Sequence, residues 1–156
     1  MHEVMVAPVD ASVFSPFGIL LSGAGIKATH KHNAANSATC IETIQVSELS
    51  HAGYCDIDAM EKHDFSTQTF FPLDMAQYLI VVCASNEEGL PDITQVRAFS
   101  VQGNEALQYH PGTWHCNIAT LYRPGLFVNL VEKNNSSDDC THITVPTFRV
   151  RLPNDS

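Results

Sequence analysis

The 156-residue sequence predicts an all-β domain, and three observations carry that expectation. Short apolar stretches recur at roughly ten-residue spacing with turn residues between them, the pattern of a barrel or sandwich. Helical periodicity is weak from end to end. Groups able to bind a metal or move protons fall in two separated β-type segments: Glu61, His63 and Gln68, then His110 and His115 on either side of Pro111-Gly112.

Taken in order, the run Asp10 to Phe14 ahead of Pro16-Phe17-Gly18 offers one helical turn. Residues 27–38 are polar and Ala/Asn-rich, which predicts a long loop. Strands are expected at 40–47, 67–72, 77–84, 96–102, 107–109, 114–121 and 126–132. Residues 86–92 read as a loop, with Asp92 placed to cap a brief helical turn at 92–96. Gly103-Asn104 and Pro124-Gly125 read as turns, and 133–142 as a second long loop. No repeat or linker interrupts the chain, so residues 1–156 are expected to form a single domain.

The chain carries 8 Lys and Arg against 17 Asp and Glu, a formal net charge of -9. A phosphate backbone or an anionic membrane would be repelled, so no nucleic-acid or membrane partner is expected. The N-terminus has no basic residue ahead of its apolar run and does not read as a signal peptide. The strongest apolar run, residues 78–84, is too short to span a bilayer. Cys40, Cys55, Cys83, Cys116 and Cys140 are dispersed without a C-x-x-C pair, which fits reduced thiols and a cytoplasmic location.

On a strand, Glu61 and His63 share a face while Lys62 takes the other. Carboxylate, imidazole and the Gln68 amide converging inside a barrel make either a metal site or an acid–base site. Glu61, His63, Gln68 and His115 could together hold Zn²⁺, Mn²⁺ or Ni²⁺, and the same groups could work without metal. No cofactor is therefore fixed by the residues. Arg97, one of few cations, suits a bidentate grip on a substrate carboxylate, or else a structural ion pair. Tyr109 either donates a hydrogen bond into the site or closes the barrel end. Trp114 alternates with His115 and so packs away from that histidine's face. His30-Lys31-His32 is a literal H-x-H but reads as solvated loop. His2, His51 and His142 read as surface residues.

The order E-x-H-x4-Q at 61–68 resembles the first motif of the cupin superfamily, with Glu61 at the first ligand position and Gln68 at the third. Pro111-Gly112-Thr113-Trp114-His115 resembles the second, in which a glycine turn returns one histidine to the barrel. The segments EKHDFSTQTFFPL (61–73), YLIVVCA (78–84), PDITQVRAF (91–99) and YHPGTWH (109–115) together resemble the ureidoglycolate lyase family. Phe14-Ser15-Pro16-Phe17-Gly18 and Asp139-Cys140 also look like family features. The family's Asn-x-Gly-type segment and an arginine ahead of E-x-H have no counterpart in 30–42 or 54–60.

The resemblance implies a cupin-like double-stranded β-helix, a jelly-roll barrel with a few short helical turns, assembled as a homodimer. It also implies a role in late purine (allantoin) catabolism, cleaving ureidoglycolate to glyoxylate and urea. By that analogy His63 and His115 form the central acid–base pair, with Glu61 orienting them and His110 as an alternative acid or base. Gln68, Arg97 and Tyr109 would bind the substrate, a small carboxylate. The competing expectation is a diverged cupin-like protein that acts on, or only binds, another small hydroxy or carboxylic acid.

Overall fold

The computed structural model describes residues 1–49, 52–134 and 139–154. Twelve strands dominate it. In chain order they are β1 (His2–Pro8), β2 (Gly18–Leu21), β3 (Ala38–Val46), β4 (Tyr54–His63), β5 (Gln68–Asp74) and β6 (Gln77–Cys83). There follow β7 (Arg97–Gln102), β8 (Ala106–Tyr109), β9 (Trp114–His115), β10 (Ala119–Leu121), β11 (Gly125–Lys133) and β12 (Cys140–Arg151). One helical turn, α1 (Ala11–Phe14), precedes β2, and a 3-10 turn (Ile93–Gln95) precedes β7. Asp10 caps α1 by accepting the amides of Ser12 and Val13, and Asp92 caps the second turn by accepting that of Thr94. No helix among the described residues is long and apolar enough to cross a membrane.

The strands form two sheets. One runs β10-β6-β7-β1-β12-β4-β9, and an extra pairing of β9 with β6 closes six of its strands into a barrel. The other runs β2-β8-β5-β11-β3 and lies against the barrel wall formed by β6 and β7. The architecture is all-β and cupin-like.

Period-2 alternation divides the apolar side chains between two cores. Leu79, Val81 and Cys83 of β6 join Met60, Trp114, Phe148 and Val150 inside the closed ring. Tyr78, Ile80 and Val82 of the same strand face outward and pack with Phe70, Leu107, Tyr109 and Phe127 of the other sheet. β6 is buried on both faces, which explains its unbroken apolar run.

Three expectations about element boundaries need correction. The stretch 114–121 is not one strand: β9 ends at His115 and β10 begins at Ala119, and although both pair with β6, only β9 also pairs with β4. Gly125 opens β11 instead of closing a turn. The loop expected over 133–142 ends early, since Cys140 pairs with His63 and His142 with Glu61 at the head of β12. Residues 135–138 of that stretch, and His51, lie outside the described residues.

The His30-Lys31-His32 segment is not a freely solvated loop either. Glu132 projects from β11 with its side chain fully buried, and a buried carboxylate needs donors. It accepts from His30 Nε2 at 2.7 Å, from Ser37 Oγ at 2.7 Å and from the Thr39 hydroxyl, with His32 Nδ1 3.8 Å away. The amide of Thr67 donates to the Lys31 carbonyl, tying the segment to the entrance of β5.

Candidate active site

β4 lies between β12 and β9, so Glu61 has a cross-strand neighbour on each side: His142 on β12 and His115 on β9. Met60 turns into the ring, which sends Glu61 to the outer wall, toward the five-stranded sheet. His63 follows two residues on. The Pro111-Gly112 turn returns the chain to β9, and Gly112 takes φ of 80°, a conformation glycine adopts without strain. Its amide donates to the His63 carbonyl at 2.7 Å, locking the turn to the end of β4. Trp114 then points into the ring and His115 out of it, as alternation requires.

Glu61, His63 and His115 meet there. A ligating atom of each lies within 4.8 Å of the others. The rings of His63 and His115 stack with centroids 6.0 Å apart, and Tyr109 stacks on the other side of His115 at 4.5 Å. A cavity of about 330 Å³ opens beside Glu61 and His115, between the two sheets of the jelly roll, with His63 next to His115 and outside the lining. Glu61, His115, Gln68, Asn117 and Asn129 supply much of its polar wall, and Ile44, Phe70 and Ile118 much of the apolar one.

The hydrogen bonds set the tautomers. His115 Nδ1 sits 3.0 Å from the Thr113 carbonyl, an atom that only accepts, so Nδ1 carries the proton. Nε2 is then left facing Glu61 Oε1 at 3.3 Å, buried and without a well-formed hydrogen bond. Two lone-pair atoms so placed call for a proton or a cation between them. His63 Nδ1 is likewise buried, 3.7 Å from the Asp139 carboxylate. Asp139 is itself held by the Phe65 amide and the Ser66 hydroxyl. Gln68 donates its amide nitrogen to Asn129 at 3.2 Å, which leaves its buried Oε1 with no partner.

Electrostatics follow from the same contacts. Burial acts to raise the Glu61 carboxyl, but His115, His142 and His63 outweigh it and bring it down to about 2. Burial lowers the His63 imidazole, helped by the neighbouring His115 charge and opposed by Glu61 and Asp139. Burial pushes the Tyr109 phenol far above its ordinary range, so it stays protonated and has a hydrogen to donate. Its hydroxyl has no partner.

Arg97 and His110 do not join this group. They line a second cleft with Pro16, Ser85 and Gln95, and His110 Nε2 donates to the Ser15 carbonyl at 2.9 Å. No Lys or Arg lines the first cavity among the described residues. The sequence reading gives no site role to four partners that the structure supplies: Asn129, Asp139, Cys140 and His142, of which Asp139 and Cys140 enter it only as family-like features. His142 is 68% exposed, yet its Nε2 lies 2.8 Å from Glu61. The one available signal was C-T-H at 140–142, whose alternation puts Cys140 and His142 on one strand face.

A jelly roll with a histidine–carboxylate cluster beside a small cavity defines a cupin-like enzyme of small-molecule chemistry. Comparison with known proteins narrows the class. The ureidoglycolate lyase family matches residues 50–151, and the chain belongs to that family. It is 30% identical over 133 residues to a putative ureidoglycolate lyase of Agrobacterium fabrum, covering 81% of each chain. It is 25% identical over 153 residues to the ureidoglycolate lyase of Pseudomonas aeruginosa, covering 90% of this chain and 89% of that one. The ureidoglycolate lyase of Schizosaccharomyces pombe is 34% identical over 95 residues, 58% of this chain and 49% of the relative.

Proposed function

We propose that this chain cleaves ureidoglycolate to glyoxylate and urea as a step of allantoin catabolism. Family membership supports the substrate, and the meeting of Glu61, His63 and His115 beside the cavity supports the chemistry. That meeting is the observation on which the reading rests.

Ureidoglycolate carries a hydroxyl and a ureido nitrogen on one carbon. Removing the hydroxyl proton lets the C=O bond form as the C–N bond breaks, and the departing nitrogen takes up a proton. His63 is the better base, because its lowered affinity for protons leaves it neutral near pH 7. Asp139, behind Nδ1, selects the tautomer whose Nε2 is free to accept. His115 is the acid: with Nδ1 committed to the Thr113 carbonyl, its Nε2 is the nitrogen aimed at Glu61 and at the departing group.

Gln68 Oε1 is a buried acceptor with no partner, and the ureido N–H groups are donors that match it. Asn129 fixes its orientation. With no cationic side chain in the cavity, the substrate carboxylate meets the amide side of the wall, where Asn117 and Asn129 lie. Arg97, in the other cleft, is not assigned this task.

Glu61, His63 and His115 also fit a divalent metal, since one oxygen and two nitrogens lie within 4.8 Å and His115 Nε2 lacks a partner. Zn²⁺, Mn²⁺ or Ni²⁺ held by these three would supply Lewis-acid polarisation of a substrate oxygen.

We also read residues 1–156 as one domain, in a cytoplasmic homodimer. Ile41, Phe71 and Leu73, exposed on the five-stranded sheet, support a partner surface. The test of the function is glyoxylate release from ureidoglycolate, assayed with and without added Zn²⁺, Mn²⁺ or Ni²⁺. Absence of turnover under all these conditions overturns the reading. It would favour a protein that only binds a small hydroxy acid, which carboxylate-induced thermal stabilisation would reveal.

A further inference from the structure

Glu61 directs its two oxygens to different partners. Oε1 faces His115 at the cavity wall. Oε2 lies 2.8 Å from His142 Nε2 and 3.6 Å from Cys140 Sγ. These two residues alternate along β12, and register sets them opposite His63 and Glu61. Neither has a part in the proposed reaction. Carboxylate oxygen, thiol sulfur and imidazole nitrogen all stand within 4.8 Å of one another.

We propose that Glu61, Cys140 and His142 form a separate cation site at the rim of the cavity, taking a borderline-soft divalent ion of the zinc class. The proposal rests on the proposed function only in sharing Glu61 with it. The donor set decides the class of ion. Thiolate and imidazole select zinc or cobalt, whereas magnesium and calcium want oxygen ligands throughout. Three protein ligands leave a fourth position for water, the arrangement of an exchangeable ion and not of a closed structural one. His142, largely exposed, gives the ion a way in. Binding replaces the S–H bond of Cys140 with a sulfur–metal bond and releases the proton to solvent.

This geometry separates the rim from the cavity. An ion on Oε1 is met by His63 and His115, with nitrogen donors only. An ion on Oε2 is met by sulfur. A probe that reports sulfur ligation therefore tells the two apart.

The full chain, freed of metal with a chelator, is titrated with Co²⁺ and its near-ultraviolet spectrum recorded. A thiolate-to-cobalt charge-transfer band is expected at one equivalent or fewer. Cys140→Ser should abolish it, while a Cys40→Ser/Cys55→Ser variant and His115→Ala should keep it. His142→Ala, at an exposed position that leaves folding intact, should weaken Co²⁺ binding at this band by about tenfold or more. No band in the wild-type chain, a band that survives Cys140→Ser, or one indifferent to His142→Ala overturns the proposal. Glyoxylate release is scored separately. A band without turnover removes only the proposed function, and turnover without a band removes only the rim site.

Discussion

The imidazole rings of His63 and His115 lie 14° from parallel with centroids 6.0 Å apart, one from the end of β4 and the other from β9. Their backing differs. His63 has a carboxylate, Asp139, behind Nδ1, whereas His115 has a carbonyl, Thr113, behind Nδ1 and a carboxylate, Glu61, before Nε2. Two like groups with different environments are suited to opposite proton-transfer roles.

His115→Ala removes the proposed acid and should lower kcat/KM for glyoxylate release by about 10²–10⁴-fold. The side chain is buried against Tyr109, so circular dichroism and thermal unfolding should accompany the assay. A folded variant with unchanged kcat/KM would remove His115 from the mechanism.

Asp139→Asn tests orientation. Its charge raises the His63 value, so losing it should lower that value further and move the acid limb of the kcat/KM profile to lower pH. Loss of tautomer control should also cost roughly ten- to hundredfold in kcat. A drop in rate with the limb unmoved would point to a structural role alone.

Arg97→Ala and His110→Ala should leave kcat/KM within about twofold, because both side chains line the second cleft. A large rise in KM for Arg97→Ala would return the substrate carboxylate to that guanidinium and contradict the assignment.

Glu61 links the site to acid stability. Its carboxyl, ordinarily at 4.5, is held at about 2 in the folded chain. The stabilisation is fully present above 4.5 and is lost as pH falls through about 2. In urea unfolding, the wild-type chain should therefore lose stability faster than Glu61→Gln across that window. Parallel pH dependences would show that the histidines around Glu61 do not depress it.

Glu132→Leu should destabilise the fold by about 1–3 kcal/mol, because His30, Ser37 and Thr39 lose their shared acceptor. Hydrogen exchange should rise first in 27–39 if this carboxylate is what pins the segment. Unchanged exchange there would show that the Lys31–Thr67 backbone bond suffices.

Much of the centre of the site was legible before folding. Glu61 and His63 share a face because strand side chains alternate, and Trp114 opposes His115 for the same reason. Gly112 announced the turn between His110 and His115. The loop 133–142 was read too long because Asn, Ser and Asp dominate its middle. Nothing local in Cys140-Thr141-His142 shows that β4 will pair with it. Nor does anything local in Asp139, beyond its family-like pairing with Cys140, place it behind His63. Its partners, Phe65, Ser66 and His63, lie more than seventy positions earlier in the chain.

The sequence by itself determined the all-β class, the face each strand presents and the resemblance to ureidoglycolate lyases. All of these are short-range properties of alternation, turn chemistry and residue order. Only the tertiary structure decided which groups meet. It put Glu61 between His115 and His142, moved Arg97 and His110 to a different cleft, and made Glu132 the anchor of the His30 segment. Those outcomes depend on register between strands far apart in the chain, set by cooperative packing of two cores on the opposite faces of β6.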